Sequence, residues 1–402
     1  KKWYKLPTIK EKDMGFDKVK KDLYVKLAKS VQLHMTSDVP VGVSLSGGLD
    51  SSTIASLMRK ENGEDLDIPS FSAVYGNNWE KDEKRYVVEM CEYLSIKPEY
   101  AEPTAMQLLS DFDNLVYCQE EPFISASLFA GWCVSKKANE KGVKVLMTGQ
   151  GADEIFGYDY MAAFYFYELF RKFQWVELIK EFVLFLKKQK FSGLFTTQLF
   201  VFLISPNFIR KILLYNSSPI ISRKFLKKFH NSSDFYREFF KAKSLNESVK
   251  KHLLHKLNHN LRVDDKNAMA WSVEGRVPFL EMELVEYCMN IPSKMKVHNG
   301  EIKFVLKESM KESLPNKISE RHDKIGYDTP MDTWFREPKF IQYIETMLFS
   351  EYQPMEKYLN IDYIKKKWNL HKENKQNNGQ IIWKYVFLTR WYKIFFDSKI
   401  NI

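Results

Sequence analysis

Val41-Gly-Val-Ser-Leu-Ser-Gly-Gly-Leu-Asp-Ser-Ser52, followed by Thr53-Ile-Ala-Ser-Leu-Met58, decides how this chain is read. Val41 to Leu45 is β-branched and apolar, as a buried strand is, and residues 53 to 58 read as a helix. A loop of small residues lies between. A glycine pair after a strand and before a helix turns backbone N–H groups and the helix N-terminus toward an anion, so phosphates are cradled without a dedicated lysine. Gly47 and Gly48 supply the close approach, and Ser46, Ser51 and Ser52 add hydroxyl donors. Asp50 would be repelled by phosphate unless a divalent cation stood between them, so it predicts Mg²⁺. The pattern is neither a Walker A loop, which needs Gly-Lys-Ser/Thr, nor a dinucleotide GxGxxG.

Outward from this unit, Phe16, Val19, Leu23, Leu27, Val31 and Leu33 give residues 14 to 36 helical periodicity, which Asp38-Val-Pro40 ends. A second strand is expected from Pro69 to Tyr75, a helix from Glu83 to Leu94, a third strand from Pro98 to Ala101, a helix from Leu128 to Asn139 and a fourth strand from Val143 to Thr148. Strands alternating with helices predict an α/β fold with a doubly wound parallel sheet covered on both faces. Residues 14–157 are assigned to this phosphate-binding α/β core. From Tyr158 the sequence becomes aromatic-rich and Lys-studded without strand signals, so residues 158–260 are expected to form a helical insertion. Its aromatics are expected to pack a core rather than a lipid- or partner-facing surface. Residues 261–402 are expected to be helical, with loops at Arg321 to Pro330 and Asn374 to Gly379.

The composition is that of a soluble globular protein, 45% hydrophobic and 28% charged. Lys and Arg exceed Asp and Glu by 61 to 51, but no compact basic run resembles a nucleic-acid tail, so no nucleic-acid partner is expected. Cys91, Cys118, Cys133 and Cys288 form no CxxC pair, which argues against a zinc knuckle or disulfide framework and for a reducing cytoplasm. The most apolar stretch, Phe191 to Ile209, is interrupted by Pro206 and carries Ser, Gly, Thr and Gln. Two buried helices are expected there, and no transmembrane segment.

A second chemical segment, Leu146-Met-Thr-Gly-Gln-Gly-Ala-Asp-Glu-Ile-Phe-Gly-Tyr158, follows the fourth strand, at the end of a parallel sheet where ligands bind. Two carboxylates from separate loops can share a cation that bridges phosphates, which makes Asp153 the partner of Asp50. Helix capping is the alternative for Asp153 and Glu154. Further on stand Asp265-Lys-Asn-Ala-Met-Ala-Trp-Ser-Val-Glu-Gly-Arg-Val-Pro-Phe-Leu280 and Arg321-His-Asp-Lys-Ile-Gly-Tyr-Asp-Thr-Pro330. These four segments, in this order, resemble the synthetase half of glutamine-dependent asparagine synthetases, within the PP-loop ATP pyrophosphatases. The resemblance spans nearly the whole chain, and Ile382 to Trp391 is similar to the closing helix.

The resemblance implies that ATP adenylates a substrate carboxylate and that ammonia attacks the acyl-adenylate, releasing AMP and pyrophosphate. It assigns Leu45, Ser46, Val74, Thr148 and Gly149 to the nucleotide, Asp50 and Asp153 to Mg²⁺, and Lys324 to the transferring phosphate. A cation there lowers the barrier by facing charge that develops on the departing pyrophosphate. Asp265 would pair with Lys324. Arg276, with Glu274, reads equally as catalytic or as a structural ion pair. Glu121, with Glu120 and Pro122, would line the acceptor side with Ser125 and Ser127, and Glu154 would adjoin it. Residues 1–13 resemble the linker that follows a glutaminase half, whose N-terminal nucleophilic Cys has no counterpart before Cys91. Ammonia would come from a glutaminase domain or from solution, and a homodimer stands open.

Three departures stand out. Gln150 replaces the Glu usual near the acceptor's amino group, Glu281 stands for an Asp, and Gly157 is alone where two glycines are common. A neutral amide neither attracts an ammonium nor acts as a base, which weakens aspartate as the acceptor. The Gly-Gln-Gly-Ala-Asp-Glu form resembles a branch linked to surface polysaccharides, where the carboxylate is a sugar uronate. A tRNA-modifying PP-loop enzyme and a non-catalytic scaffold are the competing readings.

Overall fold

The computed structural model describes residues 4–11, 14–63, 67–76, 79–189, 192–229, 238–322, 329–351 and 353–397. The central strands form where apolar and small residues are buried on both faces. β1 (Val41–Ser44), β2 (Ser70–Ala73), β3 (Pro98–Ala101), β4 (Val145–Met147) and β5 (Glu274–Arg276) make one sheet in the order β3-β2-β1-β4-β5. All pairs are parallel, with Val43 opposite Ser70 and Met147, and Met147 opposite Arg276. The sheet grows from β1 to β2 and β3 on one side and to β4 on the other. The carboxyl ends of β1 and β4 therefore flank a topological switch point, the place where such sheets bind ligands.

Both faces are covered. On one, α1 (Phe16–Met35), α2 (Leu49–Asn62) and α3 (Lys84–Leu94) bury Leu23, Leu27, Ile54, Met58 and Met90 together with Val43 and Met147. On the other, α4 (Ala105–Gln119) and α5 (Ser127–Glu140) bury Leu108, Phe112 and Phe129 with Phe71 and Leu146. Successive residues of β4 thus serve opposite cores, as the period of a strand requires. Trp383 and Phe387 of the closing helix, Gly379–Phe396, stand edge-on or tilted to each other and to Phe112 in the second core.

After β4 come α6 (Ala152–Phe156), α7 (Ala162–Arg171), α8 (Trp175–Lys188), α9 (Gly193–Ile204), α10 (Asn207–Asn216), α11 (Arg223–Phe229), α12 (Leu245–His255), α13 (Leu257–Met269) and α14 (Met282–Asn290). The inner aromatics of the insertion do form a core: Phe166 meets Phe182 and Phe185 edge-on at 5.3 and 5.4 Å between ring centres. Two expectations need correction. The stretch from Phe191 to Ile209 does break into two helices at Pro206, but only α9 is buried, and on one side: Leu199 and Leu203 face the core while Leu194, Phe195 and Val201 are exposed, and α10 has no buried residue among those described. The region from residue 261 onward is not helical throughout. Glu274-Gly-Arg276 forms the edge strand β5, too short and too polar to show alternation, and Val297–His298 pairs with Glu301–Ile302 as a small antiparallel hairpin.

Candidate functional site

The loop after β1 is closed by its own small side chains. Ser46 N donates to Ser51 Oγ at 3.1 Å, Gly48 N reaches Ser46 Oγ at 3.4 Å, and Ser51 Oγ donates to Gly48 O at 3.3 Å. Ser52 is fully buried in the first turn of α2, its hydroxyl without a hydrogen-bond partner among the described residues. Gly47 has φ +65°, and a Cβ there would lie 2.4 Å from Tyr86 Cβ. Gly149, after β4, would bring a Cβ to 2.7 Å from Ser51 N. Only glycine lets the two strand-end loops nest against the start of α2.

Asp50, in the first turn of α2, and Asp153, in the first turn of α6, meet at one cation. That cation is Lys303, whose Nζ lies 2.7 and 2.8 Å from the two Asp50 oxygens and 2.7 Å from Asp153 Oδ1. Asp50 and Lys303 are both buried. Two carboxylates aimed at one point beside an anion cradle are a donor set that Mg²⁺ takes together with substrate phosphates. Among the described residues no group of three or more His, Cys, Asp or Glu gathers as a metal site, so phosphate oxygens and water would complete the coordination.

Around this point lies a cavity of about 350 Å³ lined on one side by Asp50, Asp153, Lys303, Lys307, Arg321 and His322, and on the other by Tyr158, Asp159, Tyr160 and Gln189. Arg321 is held against the loop: it donates to Gly47 O at 3.2 Å and to Glu83 at 2.7 Å, and its guanidinium sits 3.7 Å over the Tyr86 ring. Lys307 and Lys188 each bind Glu301 at 2.6 Å, with His322 at 3.3 Å. Burial opposes the Glu301 charge, but hydrogen bonds from the two lysines bring its carboxyl below the usual range. A cavity walled by cations at the mouth of a parallel sheet is a place for a polyanion.

The profile of the family described as asparagine synthase matches residues 22–393. The chain belongs to the asparagine synthase family. It is similar to asparagine synthetase (glutamine-hydrolyzing) 1 of Bacillus subtilis (strain 168), 25% identical over 407 residues, covering 95% of this chain and 60% of that protein. It is similar also to asparagine synthetase B (glutamine-hydrolyzing) of Escherichia coli (strain K12), 24% identical over 327 residues, covering 77% and 45%. Amidase chyE of Penicillium rubens is 24% identical over 355 residues, covering 77% and 52%. The chain thus spans between about half and 60% of the length of these relatives.

Three of the residues that the resemblance assigns to the nucleotide stand at neighbouring strand ends. Leu45, Val74 and Thr148 end β1, β2 and β4, with their N–H groups given to Phe71 O, Ala101 O and Arg276 O. Gln150 follows at the mouth of β4, its N–H 3.4 Å from Thr148 Oγ1. Lys324 lies outside the described residues, and so does the pairing expected for Asp265, which is exposed on α13. Arg276 is turned from the cavity: its guanidinium binds Glu274 at 2.7 Å and donates to His34 O and Thr36 O at 2.6 and 2.8 Å. It caps the carboxyl end of α1 and ties it to β5, as cations at helix ends do.

Glu154 is buried, accepting from Tyr158 OH at 2.6 Å and from Asn260 Nδ2 at 3.2 Å, so it joins α6 to α13. Burial, and then the charge of Asp153, push its carboxyl up. On the far side of α13, Glu121 pairs with Arg262 at 2.7 Å, Glu120 pairs with Lys266 at 2.5 Å, and Ser125 Oγ lies 2.9 Å from Ser127 Oγ. Lys303 was missing from the sequence reading. Its signal was the Asn299-Gly300 pair just before it, a hairpin turn dipeptide that fixes where the next residues go.

Proposed function

We propose that the chain catalyses the ATP-dependent amidation of a small carboxylate through an acyl-adenylate. The observation that carries this reading is the convergence of Asp50 and Asp153 on one cation position beside the Gly47–Gly48 cradle. Bound there with the nucleotide, Mg²⁺ would supply charge neutralisation to the phosphates, held by these two carboxylates. Leu45, Ser46, Gly47, Gly48, Ser51, Ser52, Val74, Thr148 and Gly149 hold the nucleotide. Lys303, Lys307 and Arg321, which line the cavity, face the pyrophosphate, and Lys324 keeps the role at the transferring phosphate that the resemblance assigns to it.

In this scheme a substrate carboxylate oxygen attacks the α-phosphorus, and the bond to the bridging oxygen breaks. Pyrophosphate leaves with the electron pair, toward the lysines. Ammonia, from a glutaminase domain or free in solution, then attacks the acyl carbon. The C–O bond to AMP breaks, and the nitrogen gives up a proton as the amide forms. Lysines beside the departing phosphates stabilise the charge in the first step. The cytoplasm supplies the ATP.

Gln150 favours an acceptor other than aspartate. It offers an amide where an ammonium would need a carboxylate, and one relative carries the name amidase. A sugar uronate is the alternative acceptor. Pyrophosphate release should be measured with ATP, Mg²⁺ and ammonia over a panel of carboxylates that includes aspartate and a nucleotide-linked uronate. One of them should give AMP and pyrophosphate. Formation of ADP and phosphate would end the proposal.

A further inference from the structure

Of the 29 large hydrophobic side chains exposed among the described residues, 15 fall between Phe173 and Leu214, in the loop before α8 and on α8, α9 and α10. On α8, Leu178, Glu181 and Phe185 are buried, while Val176, Ile179, Val183 and Leu186 form an outward stripe at helical spacing. Val176 is 83% exposed, Leu194 of α9 71% and Phe208 of α10 66%. The three helices are joined at their ends. Leu186 Cδ2 lies 3.3 Å from the place a Cβ on Gly193 would occupy, and Arg210 of α10 donates to Ser205 O at 2.8 Å at the end of α9. A surface helix apolar on both faces lacks the polar outer side that water favours.

Charge identifies what covers it. Residues 173–214, which carry these exposed side chains, hold six Lys and Arg against two Asp and Glu. Of the two acids, Glu181 is buried, which leaves Glu177 outward beside Lys180. Lys180 and Lys187 stand exposed beside the α8 stripe. A second copy would bring two such basic surfaces together, which repel. An apolar stripe edged by lysines suits acyl chains below and anionic headgroups around them. Among the described residues no helix is long and apolar enough to cross a membrane, so these helices would lie in the interface.

We propose that the outward faces of α8, α9 and α10 seat the protein on an anionic lipid surface. The α8 that carries the stripe also reaches the candidate site. Buried Glu181 accepts the N–H groups of Asn299 and Gly300 at 2.8 and 2.9 Å, in the turn that leads to Lys303, and Lys188 binds Glu301. The inward side of α8 therefore holds the turn that leads to the candidate site, while its outward side carries the apolar stripe.

The experiment is sedimentation with vesicles of phosphatidylcholine alone and of phosphatidylcholine with about one-third phosphatidylglycerol, at low and high salt. The protein should sediment only with the anionic vesicles, and less so as salt rises. The triple variant Val176→Glu, Ile179→Glu, Leu194→Glu should unfold at the wild-type temperature and bind those vesicles at least about tenfold more weakly. Wild-type protein that stays in the supernatant, or a triple variant that binds as well, would overturn the proposal. So would a concentration-dependent dimer on size-exclusion that the triple variant abolishes, which would make a second copy the occupant. The readout needs no turnover, so it stands or falls apart from the proposed reaction.

Discussion

The sheet around β1 and the helices from α7 to α11 treat apolar side chains in opposite ways. Around β1, Val43, Leu45, Ile54 and Met147 are fully buried, and the loop that follows the strand is built of glycine, serine and aspartate. From α8 to α10, apolar side chains pack inward and project outward as well. The first region is organised around a small anion, where a misplaced methyl group is a collision. The second carries a broad surface, where single side chains are interchangeable. Their sensitivity to substitution should differ accordingly.

The largest effect is expected at Gly47. In Gly47→Ala a Cβ would stand 2.4 Å from Tyr86 Cβ and 2.7 Å from Tyr86 C, with φ at +65°. The cradle must shift, and pyrophosphate release should fall by roughly a thousandfold or more, as lost positioning does. Steady-state assay with saturating ATP checks this. Next comes Lys303→Met, which leaves buried Asp50 beside Asp153 without its ammonium. Stability should drop by about 3–5 kcal/mol in denaturant titration. Added Mg²⁺ with ATP should restore more of it in the variant than in the wild type, because the same carboxylates then hold a cation.

How much of this was legible depended on the length and period of each signal. β1 and the Ser46–Ser52 loop were readable because a β-branched, apolar run ends in glycine and serine, and β2 to β4 because short apolar or aromatic segments alternate with helical ones. β5 was not: Glu274-Gly-Arg276 is three residues with an exposed start, and only its register against Val145–Met147 makes it a strand. Asp50 and Asp153 could be paired because both follow strands. Lys303 is 253 residues from Asp50, and nothing local marks its target. Arg276 stayed ambiguous until His34 O and Thr36 O appeared beside it. The two-sided character of α8 was hidden because periodicity reports one apolar face and cannot say whether a second is covered.

At the seam between the regions, pH becomes the probe. His252 on α12 is fully buried against Tyr158 and Phe239, with ring centres 5.0 and 6.3 Å away. Burial first, and then the Lys256 charge, hold its pKa at about 3. An unfolded histidine titrates near 6.5, so the unfolded chain binds more protons below that pH. Stability is complete above it and declines as pH falls toward the folded value. The loss between about pH 7 and about pH 4 should be on the order of 3 kcal/mol, and His252→Leu should flatten that part of the curve. Smaller still is Glu181→Gln. One amide oxygen replaces two carboxylate oxygens at Asn299 N and Gly300 N, costing about 1–2 kcal/mol. If the turn positions Lys303, kcat should fall several-fold while KM for ATP moves little, and Glu181→Asp should restore less than the wild type. A stability loss with unchanged kcat would leave Glu181 as a fastener of the insertion only.

The smallest effect is the one that separates the regions most sharply. Val176→Ser removes an apolar side chain that is 83% exposed, so the protein gives up almost no buried area. Stability in solution should stay within about 0.5 kcal/mol of wild type, as for surface changes generally. A methyl group buried between α2 and the sheet has no such freedom: Ile54→Val, at zero exposure, should cost about 1 kcal/mol for one methylene. Denaturant melts of the two variants side by side test this directly. An equal loss at both would mean that Val176 is covered in solution by protein, and the outward stripe would then belong to an interface within or between chains rather than to a surface awaiting lipid.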